Sequence, residues 1–129
     1  MESLAEFRKL LKGIIKMNIQ IFGTTKCFDT KKAQRYFKER GISFQFIDMK
    51  EKGMSKGEFN KVRQAVGGLD NMLDEKSRDK DILALVRYIA EEDKAEKVLE
   101  NQQILKTPIV RNGASATVGF QPDVWKMWK

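Results

Sequence analysis

The spacing of apolar residues along the chain predicts alternating short strands and helices. Apolar residues that alternate with polar ones indicate strands, whereas apolar residues three and four positions apart indicate one face of a helix. The predicted strands are 18–22, 42–48, 108–111 and 115–118. The predicted helices are 28–40, 55–66, 79–90, 93–101 and one that starts at Gln121-Pro122, with a short helical turn at 69–73.

Turn and capping residues support these boundaries. Gly41 follows the first predicted helix at a position that favours glycine. Ser55 and Glu58 have the spacing of a capping box at the start of the second helix. Asn112-Gly113 is a strong hairpin-turn signal between the last two strands.

The element order predicts an α/β fold with a mixed sheet. The first two strands are joined through one helix by short connections, so we expect them to be parallel, with a right-handed crossover. The last two strands form an antiparallel hairpin that a final helix follows. A βαβ unit and then a ββα unit is the arrangement of a thioredoxin- or glutaredoxin-like domain, here with a helical insertion between strands 2 and 3.

Each helix is expected to bury one apolar face. The residues predicted to face inward are Phe28, Ala33, Tyr36 and Phe37 in the first helix, Ile82, Leu83, Leu85, Val86 and Ile89 in the helix 79–90, Ala95, Val98 and Leu99 in the next, and Val124, Trp125 and Trp128 in the last. The two tryptophans are interpreted as packing of the last helix rather than as a stacking platform for nucleic acid.

Residues 1–16 also have apolar side chains at helical spacing, interrupted by lysines and acidic residues. They predict an accessory amphipathic helix, or an extension, in front of a domain over residues 17–129. One interpretation is a basic helix on a membrane surface; the one we favour is a helix that packs on the domain or frays. A signal peptide is not indicated, because lysines interrupt the apolar stretch and no small-residue cleavage site follows.

The chain contains one cysteine and no histidine. A single cysteine cannot form an internal disulfide, which suits the reducing cytoplasm and predicts that location. Without histidine, the chain has no histidine general base, no Ser-His or Cys-His pair and none of the usual zinc sites. Thiol chemistry, carboxylate chemistry or no catalysis therefore remains, and no metal is expected.

The formal net charge is +7. A basic chain can bind an anionic partner such as nucleic acid or an acidic protein surface. Here the basic residues are spread along the chain and mixed with acidic ones, so we interpret them as a solvated surface and expect no direct nucleic-acid partner. No apolar run approaches the roughly 20 residues that span a bilayer, so we expect no membrane partner.

Cys27 stands between the predicted end of the first strand and the start of the first helix. The first turn of a helix has unpaired N–H groups and a partial positive charge, which stabilise a thiolate. Lys26, Lys31 and Lys32 add positive charge nearby, and the carboxyl end of a parallel sheet is where α/β folds bind ligands. A buried, inert cysteine is the alternative. Because the flanking residues are polar, we predict a reactive Cys27.

Two groups of motifs resemble one known family. The first comprises 19–27 (IQIFGTTKC), 31–33 (KKA) and 41–42 (GI), and the second comprises 105–110 (LKTPIV) and 118–120 (VGF). They resemble the opening and the close of ArsC/Spx-family proteins of the thioredoxin fold. That family includes arsenate reductases, Spx-type regulators and related small reductases. The resemblance extends over residues 18–129.

The resemblance implies a site and a mechanism. It implies that Cys27 is the catalytic nucleophile, and that the Thr107–Pro108 bond is cis and faces it across a groove. The expected substrate- and thiol-binding residues are Thr25, Lys26, Thr30, Lys31, Lys106, Thr107 and Pro108. No bound cofactor is implied. The reductant is an external thiol, either a small one such as glutathione or a thiol-protein such as thioredoxin, because the chain has no second cysteine.

The chain departs from the family in two features. Spx-type regulators have a second cysteine three residues after the first, and here that position is Thr30. Arsenate reductases hold their oxyanion with arginines, whereas here Lys106 and Phe120 occupy the corresponding places. Lysine lacks the bidentate fork of arginine, which argues against arsenate as the substrate. Arg78, Arg87 and Arg111 are possible substitutes for those arginines, but we interpret each as a solvated surface residue.

Two functions therefore remain open at this point. The one we favour is a cytoplasmic thiol-dependent oxidoreductase of the arsenate-reductase-like type, with Cys27 as its nucleophile. The alternative is a non-catalytic, Spx-like regulator that binds a subunit of RNA polymerase.

Overall fold

The computed structural model of the chain describes residues 17–128, and the predicted accessory segment 1–16 lies outside them. The strands are β1 (Ile19–Gly23), β2 (Phe44–Asp48), β3 (Ile109–Asn112) and β4 (Ser115–Val118). The helices are α1 (Phe28–Glu39), α2 (Lys56–Ala65), α3 (Lys80–Tyr88), α4 (Glu91–Glu100) and α5 (Pro122–Trp125), and the 3₁₀ helices are Leu69–Met72 and Gln102–Ile104. Within this part of the chain, no helix is both long enough and apolar enough to cross a membrane.

The four strands form one mixed sheet in the order β2-β1-β3-β4. β1 is parallel to β2 and antiparallel to β3, and β3 is antiparallel to β4. Ile21, in the centre of β1, lies opposite Phe46 of β2 and Val110 of β3. This order confirms the predicted thioredoxin-like arrangement, with α2, α3 and α4 inserted between β2 and β3.

Different helices cover the two faces of the sheet. Successive strand residues point to opposite faces, so Ile21 and Phe22 belong to two different apolar clusters. On one face, Phe22 packs in a cluster with Phe59 and other residues of the helical insertion. On the other face, Ile21 packs in a cluster with Phe37 of α1 and Trp125 of α5. The central strand β1 is therefore buried on both sides, which fixes the position of the turn that follows it.

The ends of α1 and α2 follow the sequence signals. The Ser55 side chain accepts a hydrogen bond from Glu58 N at 3.2 Å, and the Glu58 carboxylate accepts one from Ser55 N at 2.9 Å, so the predicted capping box is confirmed. Gly41 follows α1 with a φ of 67°, a conformation that glycine adopts without steric cost.

The hairpin loop is shifted by one residue from its prediction. It consists of Gly113 and Ala114 rather than Asn112 and Gly113, because Asn112 still pairs with Ser115 as the last residue of β3. The glycine is nevertheless used as the sequence signal implies, with a φ of 61°.

Three residues that are predicted to face inward are exposed instead: Phe28 at 79%, Val124 at 40% and Leu85 at 38%. Phe28 is the first residue of α1. In α3 the buried face is centred on Leu83 and Val86, and Leu85 lies about 130° around the helix from that centre. α5 is a single turn that buries only one side. These predictions were wrong because the apolar stretches are wider than the faces that the short helices bury.

Candidate active site at Cys27

Cys27 is the N-cap residue of α1. β1 ends at Gly23, and the turn that follows is closed by a hydrogen bond from Cys27 N to Thr24 O at 3.2 Å. The Cys27 carbonyl oxygen accepts a helical hydrogen bond from Lys31 N at 3.1 Å. The cysteine side chain is partly exposed and forms no capping hydrogen bond. The sulfur therefore lies at the helix end that carries unpaired N–H groups and a partial positive charge.

The segment that leads into β3 faces this cysteine. Because β3 is antiparallel to β1, its start lies beside the end of β1. The Thr107–Pro108 bond is cis, as the family resemblance implies. The Thr107 carbonyl oxygen lies 3.6 Å from Cys27 Sγ, where it can accept a hydrogen bond from the thiol. Pro108 is buried, and its carbonyl oxygen accepts a hydrogen bond from Gly119 N at 2.8 Å.

Thr30 lies in the first turn of α1 and is fully buried. Its Oγ1 has no hydrogen-bond partner within residues 17–128. A buried polar atom without a partner is uncommon and calls for a reason. The sulfur of Cys27 explains this buried hydroxyl, because the sulfur can accept a hydrogen bond from Thr30 once the thiol has lost its proton.

The pKa of the Cys27 thiol lies below its ordinary value. Partial burial raises this pKa, but hydrogen bonds from the Thr107 and Thr30 hydroxyl groups, and from the backbone at Thr30 and Asp29, lower it by more. The Thr107 carbonyl oxygen opposes them, since it can bond only to the protonated sulfur. The hydrogen bonds that lower the pKa outweigh the effects that raise it, so the thiolate fraction of Cys27 at neutral pH is larger than that of a free cysteine.

Four of the predicted binding residues are exposed on the segments next to Cys27 and Thr107, and within the described residues no hydrogen bond joins them to the sulfur: Thr25, Lys26, Lys31 and Lys106. Lys31 Nζ lies 5.9 Å from the centre of the Phe28 ring, and Lys32 Nζ lies 5.5 Å from the centre of the Phe120 ring. These two ammonium groups therefore lie against aromatic rings rather than bonded to the sulfur.

A groove of about 500 Å³ lies beside the turn before Cys27 and the Thr107 backbone, and most of its lining residues are absent from the sequence-based prediction. Its lining residues are Thr24, Met49, Lys50, Asp74, Gln102, Gln103, Leu105 and Thr107. They come from the turn before Cys27, the end of β2 and the helical insertion. No local sequence pattern signals such a groove, because it depends on how the insertion packs beside the sheet.

Two of the arginines considered as oxyanion ligands are engaged elsewhere. Arg87 pairs with Glu75, and Arg111 donates a hydrogen bond to Gln20 Oε1 at 2.8 Å. Arg111 pairs with Gln20 near the start of β1, whereas Cys27 follows the end of β1, so Arg111 lies towards the other end of the strands from Cys27. Across residues 17–128, no group of three or more His, Cys, Asp or Glu side chains is arranged to hold a metal ion.

Comparison with known proteins identifies the family. The model of the ArsC family matches residues 22–127, a span that includes both Cys27 and the Thr107–Pro108 bond. YusI of Bacillus subtilis (strain 168) is 25% identical over 112 residues, which cover 83% of this chain and 94% of YusI. The global transcriptional regulator Spx 2 of Oceanobacillus iheyensis is 23% identical over 128 residues, which cover 88% of this chain and 94% of the regulator.

Solved structures share the fold. An ArsC-family-related protein from Bacteroides fragilis superimposes with a TM-score of 0.75 at 17% identity, over 88% of this chain and 98% of that one. The arsenate reductase from Vibrio cholerae superimposes with a TM-score of 0.74 at 22% identity, over 87% of this chain and 98% of that one. The chain therefore belongs to the ArsC family, and the resemblance noted in its motifs is confirmed.

Proposed function

We propose that the protein is a thiol-dependent oxidoreductase in which Cys27 is the nucleophile and an external thiol resolves the adduct. The observation that carries this proposal is the position of Cys27 Sγ at the start of α1, 3.6 Å from the Thr107 carbonyl oxygen and with a pKa below its ordinary value. The reducing cytoplasm is the compartment that supplies such external thiols.

The proposed reaction is a sequence of thiol–disulfide exchanges. The Cys27 thiolate attacks one sulfur of a disulfide R–S–S–R′; a new S–S bond forms, the old one breaks, and R′–S⁻ leaves and takes a proton from water. An external thiolate then attacks the Cys27 sulfur, and R–S⁻ leaves in the same way. A second external thiolate attacks the first one's sulfur and frees the Cys27 thiolate. One substrate disulfide is reduced to two thiols while two external thiols are oxidised to a disulfide.

The surroundings of the nucleophile have separate roles in this mechanism. The amides in the first turn of α1 and the Thr30 hydroxyl stabilise the thiolate before attack and after release. The charge of Lys26 favours the departure of an anionic leaving group. The backbone at Thr107 offers an edge with which an extended thiol substrate can pair, as an added strand would.

Arsenate is not the substrate that we propose. An arsenate oxyanion is best held by planar, bidentate guanidinium groups. Arg87 and Arg111 are engaged with Glu75 and Gln20, and the cation next to Thr107 is Lys106. A disulfide needs no such ligands, so it fits this site better.

Formation and resolution of an adduct on Cys27 test the proposal. The protein is mixed with a fluorogenic glutathione disulfide, and its intact mass and the released fluorescence are followed before and after glutathione or thioredoxin is added. We expect one adduct per chain, its removal by the reductant, and neither event for Cys27→Ser. Equal turnover by Cys27→Ser, or alkylation of Cys27 with the pH dependence of an ordinary thiol, would contradict the proposal.

A second candidate is a non-catalytic regulator that binds a subunit of RNA polymerase. The relative named as a global transcriptional regulator favours it. An internal disulfide cannot control such a regulator, because Cys27 is the chain's one cysteine. Pull-down with purified polymerase subunits separates the two candidates: retention without thiol turnover supports the regulator, and turnover without retention supports the enzyme.

A further inference from the structure

Four exposed lysines lie on the two segments that carry Cys27 and Thr107, and we call them the lysine collar: Lys26, Lys31, Lys32 and Lys106. Two of them directly precede Cys27 and Thr107 in the sequence, and the other two lie in the first turns of α1. Asp29 is 4.0 Å from Lys32 and is the one ion-pair partner of the collar among residues 17–128. The two segments that meet at Cys27 and Thr107 therefore carry a surplus of positive charge.

Phe28 adds a large apolar side chain to this charged surface. It follows Cys27 directly, and 79% of it is exposed. Its ring lies 5.9 Å from Lys31 Nζ, so the aromatic surface and the charge are adjacent. Aromatic residues are enriched in the parts of a protein surface that a partner covers.

We propose that Phe28 and the lysine collar dock the thiol-protein that reduces the Cys27 adduct, and that this partner has acidic and apolar residues around its own reactive cysteine. The inference rests on the function proposed above for Cys27. Charge complementarity carries it, because a positive collar attracts and orients an acidic surface. Phe28 favours a protein over a small thiol as the partner. A small free thiol needs only the sulfur and the Thr107 backbone and would leave the Phe28 ring in water, whereas a protein surface can cover it.

The docked partner acts through two thiols. Its first thiolate attacks the Cys27 sulfur of the mixed disulfide Cys27–S–S–R; R–S⁻ leaves and takes a proton from water. Its second thiolate attacks the partner's own linked sulfur, which closes the partner's disulfide and releases the Cys27 thiolate. The partner is oxidised by two electrons, and these electrons reduce the adduct.

The resolution rate of a preformed adduct tests the docking surface. The full chain is converted to its mixed disulfide with a fluorescent thiol, and release is timed with two reductants: a bacterial thioredoxin of net negative charge and neutral 2-mercaptoethanol. We expect Phe28→Ala to slow the release of the fluorescent thiol by thioredoxin about tenfold. Its release by 2-mercaptoethanol should stay within about twofold of the native rate. We expect the double variant Lys31→Gln/Lys106→Gln to slow release by thioredoxin at low salt, and we expect this difference from the native protein to disappear at high salt.

Matched variants elsewhere on the surface control for exposure and charge. Tyr88→Ala removes an aromatic residue that is 89% exposed on α3, and Lys61→Gln/Lys76→Gln removes two exposed lysines outside the collar. Both are expected to match the native rates with either reductant. A redoxin of net positive charge is expected to be slow with every form of the protein.

Two outcomes would overturn the inference, and they differ in meaning. If an adduct forms, but Phe28→Ala and the collar variant slow both reductants equally or slow neither, docking at this surface is wrong while the thiol function stands. If no adduct forms on Cys27 with any disulfide, the proposed function itself is wrong and the docking falls with it.

Discussion

Gly23 and Thr30 are in contact beneath the turn that carries Cys27. A Cβ on Gly23 would lie 2.4 Å from Thr30 Oγ1 and 2.5 Å from its Cγ2. Gly23 is not among the glycines with positive φ, so position 23 requires glycine for space rather than for backbone conformation. The missing side chain lets the first turn of α1 approach β1, and this close approach brings the buried Thr30 hydroxyl near the sulfur.

Replacing Gly23 by alanine is therefore expected to disturb both the fold and the site. The added methyl group must displace Thr30, and we expect Gly23→Ala to lower the free energy of unfolding by about 1–3 kcal/mol. Urea denaturation measures the change. Gly57→Ala is the matched control, because a Cβ at position 57 of α2 meets nothing within 4 Å, and alanine is favoured over glycine in a helix by roughly 0.5–1 kcal/mol. Equal stability of both variants would contradict the contact.

Thr30→Val is expected to raise the pKa of the Cys27 thiol towards its ordinary value. The Thr30 hydroxyl bonds to the thiolate, so its removal disfavours the charged form. Stability should change little, because the lost hydroxyl is buried and has no hydrogen-bond partner within the described residues. The rate of alkylation by iodoacetamide across pH about 5 to 9 gives the pKa. Thr30→Ser keeps the hydroxyl and should keep the low pKa; an unchanged midpoint in Thr30→Val would refute this role.

The local part of the site could be predicted from the sequence. A short strand, a polar turn and a helix with a glycine after its end specify where Cys27 lies relative to the sheet. This follows from neighbouring residues alone, because each boundary has its own signal. The second half of the site, Thr107–Pro108, could be assigned only through the family resemblance, since no local pattern pairs a cysteine with a backbone 80 residues away.

The remaining features depend on contacts that have no local signature. Lys106 N donates a hydrogen bond to Met72 O at 2.8 Å, and Asp74 N donates one to Ile104 O at 2.8 Å. These bonds join the helical insertion to the segment before the cis bond and form a wall of the groove, yet neither segment has the period of a strand. Phe28 shows a second limit of prediction from the sequence. Periodicity identifies an apolar residue on a helix face but does not show whether its side chain is buried in the core or exposed to solvent.

The capping box of α2 makes stability depend on pH. Burial raises the pKa of Glu58, but hydrogen bonds from Ser55 and Gln20 and the charge of Arg111 lower it below its ordinary value of 4.5. A lowered folded-state pKa means that this contribution is complete above the ordinary value and is lost as the pH falls through the folded-state pKa. We expect Glu58→Gln to be less stable than the native protein at about pH 7 and nearly equal to it at about pH 2, as measured by urea denaturation. A constant difference across that range would contradict the role of the charge.

Ser55→Ala tests the other half of the box. It removes the acceptor for Glu58 N, and we expect a loss of about 1 kcal/mol in the free energy of unfolding at neutral pH. Ser55→Asp, which retains an acceptor at the N-cap, is the matched control and should remain within about 0.5 kcal/mol of the native protein. If the aspartate variant loses as much as the alanine variant, the cap does not account for the effect.

Gln102 fixes the groove wall beside Thr107 by bonding to both polar backbone atoms of one residue. Its side chain accepts a hydrogen bond from Met54 N at 2.7 Å and donates one to Met54 O at 2.9 Å. Gln102→Ala leaves both atoms of a buried residue without these partners, so we expect a loss of about 1–3 kcal/mol in urea denaturation. Gln103→Ala, which removes an exposed side chain next to it, is expected to cost less than about 0.5 kcal/mol. Equal losses in the two variants would mean that general damage to this loop, rather than the pair of bonds to Met54, sets the stability of the wall.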